Sequence, residues 1–502
     1  MRIRARSFII MLSQGLTQAT TIILGIILVR LITKETLGTY RQVFLVYAFL
    51  GGVLSLQLEN SLYYFLPKCG IDQRRSLLLQ TILTKLAFAL MTSLIMFFGS
   101  AMIADMFSNP ELAKLLRIFS LYSLLAGVIQ LIPAFMISLD RAMRAGVYSM
   151  ADAVGRVAVV VTMFALGQSL TSIIWAVTIL AGIISFIGYM DMTRFCPTGK
   201  WEFNRSLFME QLYYTWPFLA ISIIGIVNVQ LDKFLISVFF NPATYAIYSC
   251  GAIELPIVAL ITGSVTAAIM PNLVTFAQQG EPLRALGLWK EAVRKTALII
   301  FPCFIFFIFI GKSLIVLLYG APYSMAIWPF SIYLFLLPIR IATYSTLFRA
   351  IGRTKPIAIS AAINLFLNVL LSTSLAWLGA QSLLSFVGPS IGAVVANSAA
   401  AGYLLWQLTK MLNVPASFLM NWKELGKLLF ICTVCGLISV ILPLPNYALL
   451  ITIVIRAAIF CCVLISSLLI FNVLTADEKQ MFLLPWMFLK SKLALLGLKL
   501  RD

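Results

Sequence analysis

Residues 297–315 read ALIIFPCFIFFIFIGKSLI, with a single charge, Lys312, near the end. About 20 apolar residues carry a helix across the hydrocarbon core of a bilayer, so this stretch alone is a membrane span. It is one of many. Working outward, apolar runs separated by short charged or Gly/Pro-bearing breaks fall near 6–30, 42–67, 76–104, 113–138, 146–167, 170–191, 208–240, 243–275, 297–315, 325–349, 356–379, 387–409, 425–443 and 447–474. That makes about fourteen helical spans. The alternating ten-residue segments of a β-barrel are not visible. The whole chain agrees: 61% of its 502 residues are hydrophobic and 11% are charged, against about 45–50% apolar and about 25% charged in soluble domains. No sizeable soluble domain fits, and the expected fold class is an all-α polytopic membrane protein.

The formal charge of +19 would suggest nucleic acid in a soluble protein, but here it sets topology. With the N-terminus cytoplasmic, 26 of the 37 basic residues fall on one side and five (Lys34, Arg41, Lys114, Arg117 and Lys312) on the other. That bias predicts cytoplasmic N- and C-termini. The basic start followed by an apolar run resembles a secretory signal, yet the run is long and lacks a clear small-residue cleavage site, so it is read as a retained first span. The sequence holds no histidine, which excludes a His-dependent metal site or catalytic triad, and neither metal nor cofactor is expected. Cys432 and Cys435 have the spacing of a redox or zinc pair, but their neighbours are Leu, Phe, Ile and Val, which predicts two buried membrane cysteines.

The chain repeats itself at about 208 residues. Gly38-Thr39-Tyr40 matches Ala246-Ile247-Tyr248, Phe107-Ser108-Asn109-Pro110 matches Tyr319-Gly320-Ala321-Pro322, and Arg144 matches Arg353. Each match sits at an equivalent place in the span order. Two parallel six-span repeats follow, related by an axis along the membrane normal, with a cavity between lobes. The expected divisions are an N-terminal lobe over 1–205, a second lobe over 206–412, two additional spans in 413–475 and a cytoplasmic amphipathic tail over 476–502. Residues 281–296, with Trp289 among Arg284, Lys290, Arg294 and Lys295, read as a second amphipathic connector lying at the membrane surface.

The pattern Arg30-Leu31-Ile32-Thr33-Lys34-Glu35-Thr36-Leu37-Gly38-Thr39-Tyr40 resembles the first-span exit of the polysaccharide transporter family in the MOP exporter superfamily. Asp232-Lys233-Phe234-Leu235 through Asn241-Pro242 to Tyr245 and Tyr248 resembles it too, as does Leu318-Tyr319-Gly320 with Tyr323 and Ala326. The resemblance implies a two-lobed alternating-access flippase for lipid-linked oligosaccharides, such as O-antigen units of lipopolysaccharide, in the bacterial inner membrane. It also implies a coupling proton or sodium ion, and a glycan polymerase and assembly proteins as partners. Relatives that carry the peptidoglycan precursor place arginines in the first, second and eighth spans, where this chain has Gln14 and Gln18, Glu59, and Glu254; that departure argues against the same cargo.

A charge at mid-bilayer costs roughly 2.5–3.5 kcal/mol or more and should face a cavity or a partner. The cations within spans are Arg30, Lys85, Arg156, Lys233, Arg340 and Arg456, and the acids are Glu59, Asp152, Asp232 and Glu254. Lys85, Arg156, Arg340 and Arg30 are the candidates for binding an anionic substrate. Arg340 lies deep in the tenth span beside Pro338, whereas Arg30, Lys85 and Lys233 could equally be snorkelling anchors. The four acids are the candidate coupling sites; Asp152 and Arg156 share one helix face, as a structural ion pair or as a pair that cargo phosphate opens. Gln14, Gln18, Asn364, Asn368 and Asn397 are neutral groups suited to sugar. Two other classes compete. A MOP-type cation-coupled antiporter of drugs or small molecules has the same core but twelve spans. A membrane glycan polymerase or ligase would need chemistry on a large external loop, whereas the loops at 166–169, 241–244, 379–384 and 443–446 are short and uncharged. The expected activity is transport without catalysis.

Overall fold

In the computed structural model the described residues are 2–475 and Glu478, except 55, 197, 379–381, 444, 446 and 447; the side chains of 2–12, 14, 256 and 257 are also outside the description. Apart from Glu478, the tail expected to be amphipathic therefore lies outside the described residues. Among them, twelve helices are long and apolar enough to cross a membrane, or thirteen if the bent pair Lys34–Val53 and Leu58–Phe65 counts as one span, and a shorter apolar helix covers Gly15–Leu31. Each falls in one of the fourteen apolar runs. The protein is all-helical and multi-pass.

The helices are α1 (Arg2–Leu31), α2 (Lys34–Val53), α3 (Leu58–Phe65), α4 (Arg74–Phe98), α5 (Ser100–Met106), α6 (Pro110–Ser138), α7 (Ala142–Ala165), α8 (Leu170–Arg194), α9 (Arg205–Phe239) and α10 (Pro242–Gly251). They continue with α11 (Pro256–Gln278), α12 (Pro282–Tyr319), α13 (Ile327–Leu334), α14 (Leu336–Arg340), α15 (Ser345–Ala350), α16 (Lys355–Leu378), α17 (Leu383–Leu412), α18 (Ala416–Leu419), α19 (Trp422–Ile441) and α20 (Leu449–Ile470). Two compact units form. One contains Met1–Ile253, Leu318–Pro329 and Ala361–Ala396; the other contains Glu254–Leu317, Phe330–Ser360 and Asn397–Asp502.

In the first unit α6 is the central staff, packed by α2, α3, α4, α5, α7 and α8. Lipid tails are as apolar as leucine, so close packing rather than water exclusion draws membrane helices together. Gly188 shows the consequence: a Cβ there would stand 2.1 Å from Ile132 Cδ1 of α6, so any larger residue would have to push the Ile132 side chain aside for α8 to approach this far. Between α2 and α6 the contact is aromatic, with Phe44 and Tyr47 meeting Phe119 edge-on at 4.9 and 5.8 Å. That anchors one face of α2 and leaves its neighbouring face to a cavity.

Four spans differ from the sequence expectation. The second starts at Lys34 rather than near 42, because Thr33 caps it by accepting from the Thr36 amide, a polar N-cap that needs no long loop. It then breaks after Val53, and Gln57 holds a left-handed φ of 47° before α3 begins. The eighth span breaks likewise between Gly251 and Pro256. Glu254 is thus not in a span interior but in an open, non-helical break, with its side chain half-exposed. The tenth span is also interrupted, and Arg340 closes a five-residue helix instead of lying inside a long one. The connector over 281–296 is no separate surface helix. It runs unbroken into the ninth span as α12, with Trp289 fully buried and its Nε1 donating to the Thr343 carbonyl at 3.4 Å.

In the second unit the start of α12 is tied to the C-terminal hairpin of α19 and α20. Arg294 donates to Glu478 at 2.8 and 3.1 Å, to the Val473 carbonyl at 2.5 Å, and to Glu424 at the start of α19. Burial pushes the Glu478 carboxyl up, but the hydrogen bonds from Arg294 and from the Thr475 amide outweigh it and hold its pKa below the usual range. Such a group adds stability above the unfolded carboxylate pKa of about 4.3 and loses it as pH falls through the depressed folded value. Glu478→Gln should therefore lower the unfolding temperature of the detergent-solubilised protein at pH 7, with the gap to wild type closing below about pH 4. An undiminished gap in acid would assign the loss to something other than this carboxylate.

Candidate functional site

The first unit encloses a cavity of about 410 Å³ lined by α1, α2, α7, α9 and α10 together with Tyr319. This lies within the roughly 300–1,000 Å³ of small-molecule sites. One wall is hydroxyl-bearing, from Thr17, Thr20 and Thr21 on α1, and Tyr40, Tyr245 and Tyr319 add three aromatic rings. The charged groups that line it are both arginines, Arg41 and Arg156. Arg156 is held by Asp152 one turn earlier on α7, the pairing their spacing foretold.

Arg41 was assigned to a loop by the sequence and is instead two turns into α2. Its Nη1 donates to Ser249 Oγ at 2.6 Å, to Cys250 Sγ at 3.3 Å and to the Ala246 carbonyl at 3.5 Å, all on α10. These acceptors are neutral. A guanidinium cannot shed its proton in a protein, so Arg41 brings a full positive charge into the cavity, and among the described residues its hydrogen bonds go to dipoles. The signal in the sequence is the cap residue Thr33, which starts α2 at Lys34 and so places Arg41 inside the helix.

Beyond Ala48, which both cavities share, a second cavity of about 420 Å³ opens at the break in the second span, lined by Tyr47, Gly51, Gly52, Gln57, Glu59, Asn60, Gln130 and Ser222. Glu59 is paired across helices with the buried Lys85 of α4, Oε1 to Nζ at 2.5 Å. Lys85 is accordingly neither a snorkelling anchor nor an uncommitted anion site.

The other candidates are also paired. Arg340 donates to Glu254 at 3.1 Å, with both side chains half-exposed. Asp232 is buried in α9, accepts from Tyr248 Oη at 2.9 Å and lies 3.5 Å from Lys233 Nζ; Tyr248 Oη also meets Ser390 Oγ at 2.8 Å. Asn368, read as a sugar contact, is spent on packing, donating to Asn228 on α9 at 3.2 Å and accepting from Ser372 at 2.8 Å. Arg30 is exposed in the last turn of α1. Gln18 is exposed, and the Gln14 side chain lies outside the described residues. Cys432 and Cys435 are buried thiols, not a disulfide.

A bundle of this many spans, with two of them broken beside polar cavities and charges paired inside the membrane, has the fold of MOP-superfamily transporters. The chain belongs to the polysaccharide biosynthesis protein family, whose model matches residues 27–327. Among solved structures, the lipid II flippase MurJ in an inward closed conformation is similar at 15% identity and a TM-score of 0.69, over 93% of this chain and 99% of that one. An inward-facing multidrug resistance MATE family transporter follows at 14% identity and 0.59, over 80% and 95%. A MOP superfamily transporter from Pyrococcus furiosus matches at 14% and 0.56, over 83% and 96%. At such identities the likeness establishes the fold. No curated protein sequence matches the chain.

Proposed function

We propose that this protein is a flippase that moves a polyprenyl-pyrophosphate-linked oligosaccharide across the bacterial inner membrane for surface polysaccharide synthesis. On this reading the termini are cytoplasmic, the basic-poor side faces out, and the delivered glycan passes to a polymerase and assembly proteins. The observation that carries it is Arg41, a guanidinium inside a membrane cavity whose hydrogen bonds go to neutral groups, with Arg156 lining the same space. A pyrophosphate supplies the anion such a site lacks. A drug antiporter for cations would want the opposite charge, since these arginines repel its cargo. In a strain lacking the protein, the undelivered lipid-linked intermediate should accumulate and its glycan name the substrate; a strain with normal surface glycan and no such intermediate would overturn the proposal.

Coupling is assigned to the carboxylates within or beside the spans. Asp232 is the strongest, because it is the most deeply buried of the four, at 1% exposed, and accepts from the Tyr248 hydroxyl while pairing with Lys233. We expect neutral substitution of at least one of Glu59, Asp152, Asp232 and Glu254, and Asp232→Asn first, to abolish gradient-dependent flipping in proteoliposomes while leaving the protein inserted. Four variants that all keep their ion dependence would remove these carboxylates from coupling.

A further inference from the structure

The cavity at the break in the second span is chemically unlike the arginine-lined one. Its polar lining consists of the carboxamides of Gln57, Asn60 and Gln130, the hydroxyls of Tyr47 and Ser222, and the carboxylate of Glu59. We propose that it binds the first sugar of the cargo, and that this sugar is neutral or amino rather than acidic. The inference rests on the flippase reading above and deepens it by naming what lies next to the phosphates.

Three observations carry it. The first is adjacency: the two cavities meet at Ala48 on α2, and in a pyrophosphate-linked glycan the first sugar is bonded directly to phosphate. An anion held at Arg41 and Arg156 therefore places that sugar next door. The second is preorganisation. Gln57 Nε2 donates to Ser222 Oγ at 3.1 Å, Ser222 donates to the Gly52 carbonyl at 3.1 Å, Asn60 Nδ2 donates to Gln57 Oε1 at 2.9 Å, and Gln130 Nε2 donates to Tyr47 Oη at 3.1 Å. These bonds fix the side chains before a ligand arrives, which reduces the ordering cost of binding. Gln57 sits there at a φ of 47°, a left-handed backbone that is uncommon for any residue but glycine. Strain of this kind gathers at ligand sites. The third is charge. Glu59 is the one carboxylate among the lining residues, and the lysine that pairs with it, Lys85, stands outside the lining. An acidic sugar or a second phosphate finds no uncommitted cation among these groups, whereas a hydroxyl or an ammonium finds acceptors. Mutual satisfaction of polar groups explains the hydrogen bonds but not the 420 Å³ of space they surround.

The test uses the full chain in nanodiscs and two probes, farnesyl pyrophosphate and farnesyl-pyrophosphate-linked N-acetylglucosamine. Wild type should bind the sugar-bearing probe about tenfold tighter, equivalent to one or two net hydrogen bonds. Asn60→Leu on α3 and Gln130→Leu on α6 should each collapse that ratio towards one, whereas Arg41→Ala should weaken both probes together. A third probe carrying glucuronic acid should bind poorly to wild type and gain on Glu59→Gln. If the bare pyrophosphate binds through Arg41 but the tenfold preference is missing, or survives both leucine substitutions, the sugar site is wrong and the flippase reading stands. If neither probe binds wild type, the flippase reading itself fails.

Discussion

On the flippase reading, Arg41→Glu is expected to abolish glycan export, with surface polysaccharide falling at least about a hundredfold while the protein remains in the membrane. The reasoning is a sign reversal. A charge pair at about 4 Å with an effective dielectric of about 20 is worth on the order of 4 kcal/mol, and desolvation of the partners cancels much of it. Reversing the charge keeps the desolvation cost and turns attraction to cargo phosphate into repulsion, so a net loss near 3 kcal/mol is a modest expectation and exceeds two decades in affinity. The carboxylate would also face the Ala246 carbonyl that now accepts from Arg41. Arg41→Lys should be milder, about tenfold, since an ammonium keeps the charge but its shorter side chain stops short of the position from which Nη1 donates to its three acceptors. Arg156→Glu should also stop export, with a second effect, because it sets two carboxylates one turn apart with Asp152 on α7. Arg340→Glu is expected to impair export through its pairing with Glu254, and Arg30→Ala to have little effect at its exposed helix end. Near-normal surface glycan in an Arg41, Arg156 double-alanine variant would sink the cationic cavity, whatever became of the family assignment.

How much of this was legible beforehand follows the physics of each signal. Hydropathy is a sum over about 20 residues, so single exceptions do not disturb it, and each described helix long enough to cross a membrane falls in one of the apolar runs. Helix breaks are local, and neither break announces itself: Val53 to Leu58 holds no proline, and Gly251 to Pro256 holds one that reads equally well as packing. Pairing was legible only within a helix. Asp152 and Arg156 could be matched by their spacing of four, whereas Lys85 and Glu59 lie 26 residues apart and Arg340 and Glu254 lie 86 apart, which no periodicity connects. Arg41 was hidden by the habit of assigning charges near a span end to the loop. The rule fails where a capped helix begins within two or three residues of the previous one, as Thr33 allows here.

Gly38→Val should reduce export to near zero for a reason independent of cargo chemistry. Gly38 lies on α2 where it crosses α10, and a Cβ added there would stand 1.9 Å from the Pro242 carbonyl oxygen and 2.9 Å from its Cα. Those are backbone atoms, held by Asn241, which caps α10 by accepting from the Thr244 amide at 2.8 Å, so no change of rotamer relieves the clash. Overpacking typically costs about 1–3 kcal/mol, and a backbone collision lies at the upper end. In a transporter that alternates between states, that cost falls only on the state in which α2 and α10 touch, and it shifts the population away from that state by about ten- to a hundredfold. With the termini cytoplasmic, as proposed above, this end of both helices faces out, so the variant should leave the arginine-lined cavity open outward. In a cysteine-free background, Thr20→Cys on the cavity wall should then react with an impermeant thiol reagent added outside about ten- to a hundredfold faster when Gly38 is valine, in proportion to the shifted population. Equal labelling rates together with normal export would show that the contact of α2 with α10 is a fixed packing site and not part of the transport cycle.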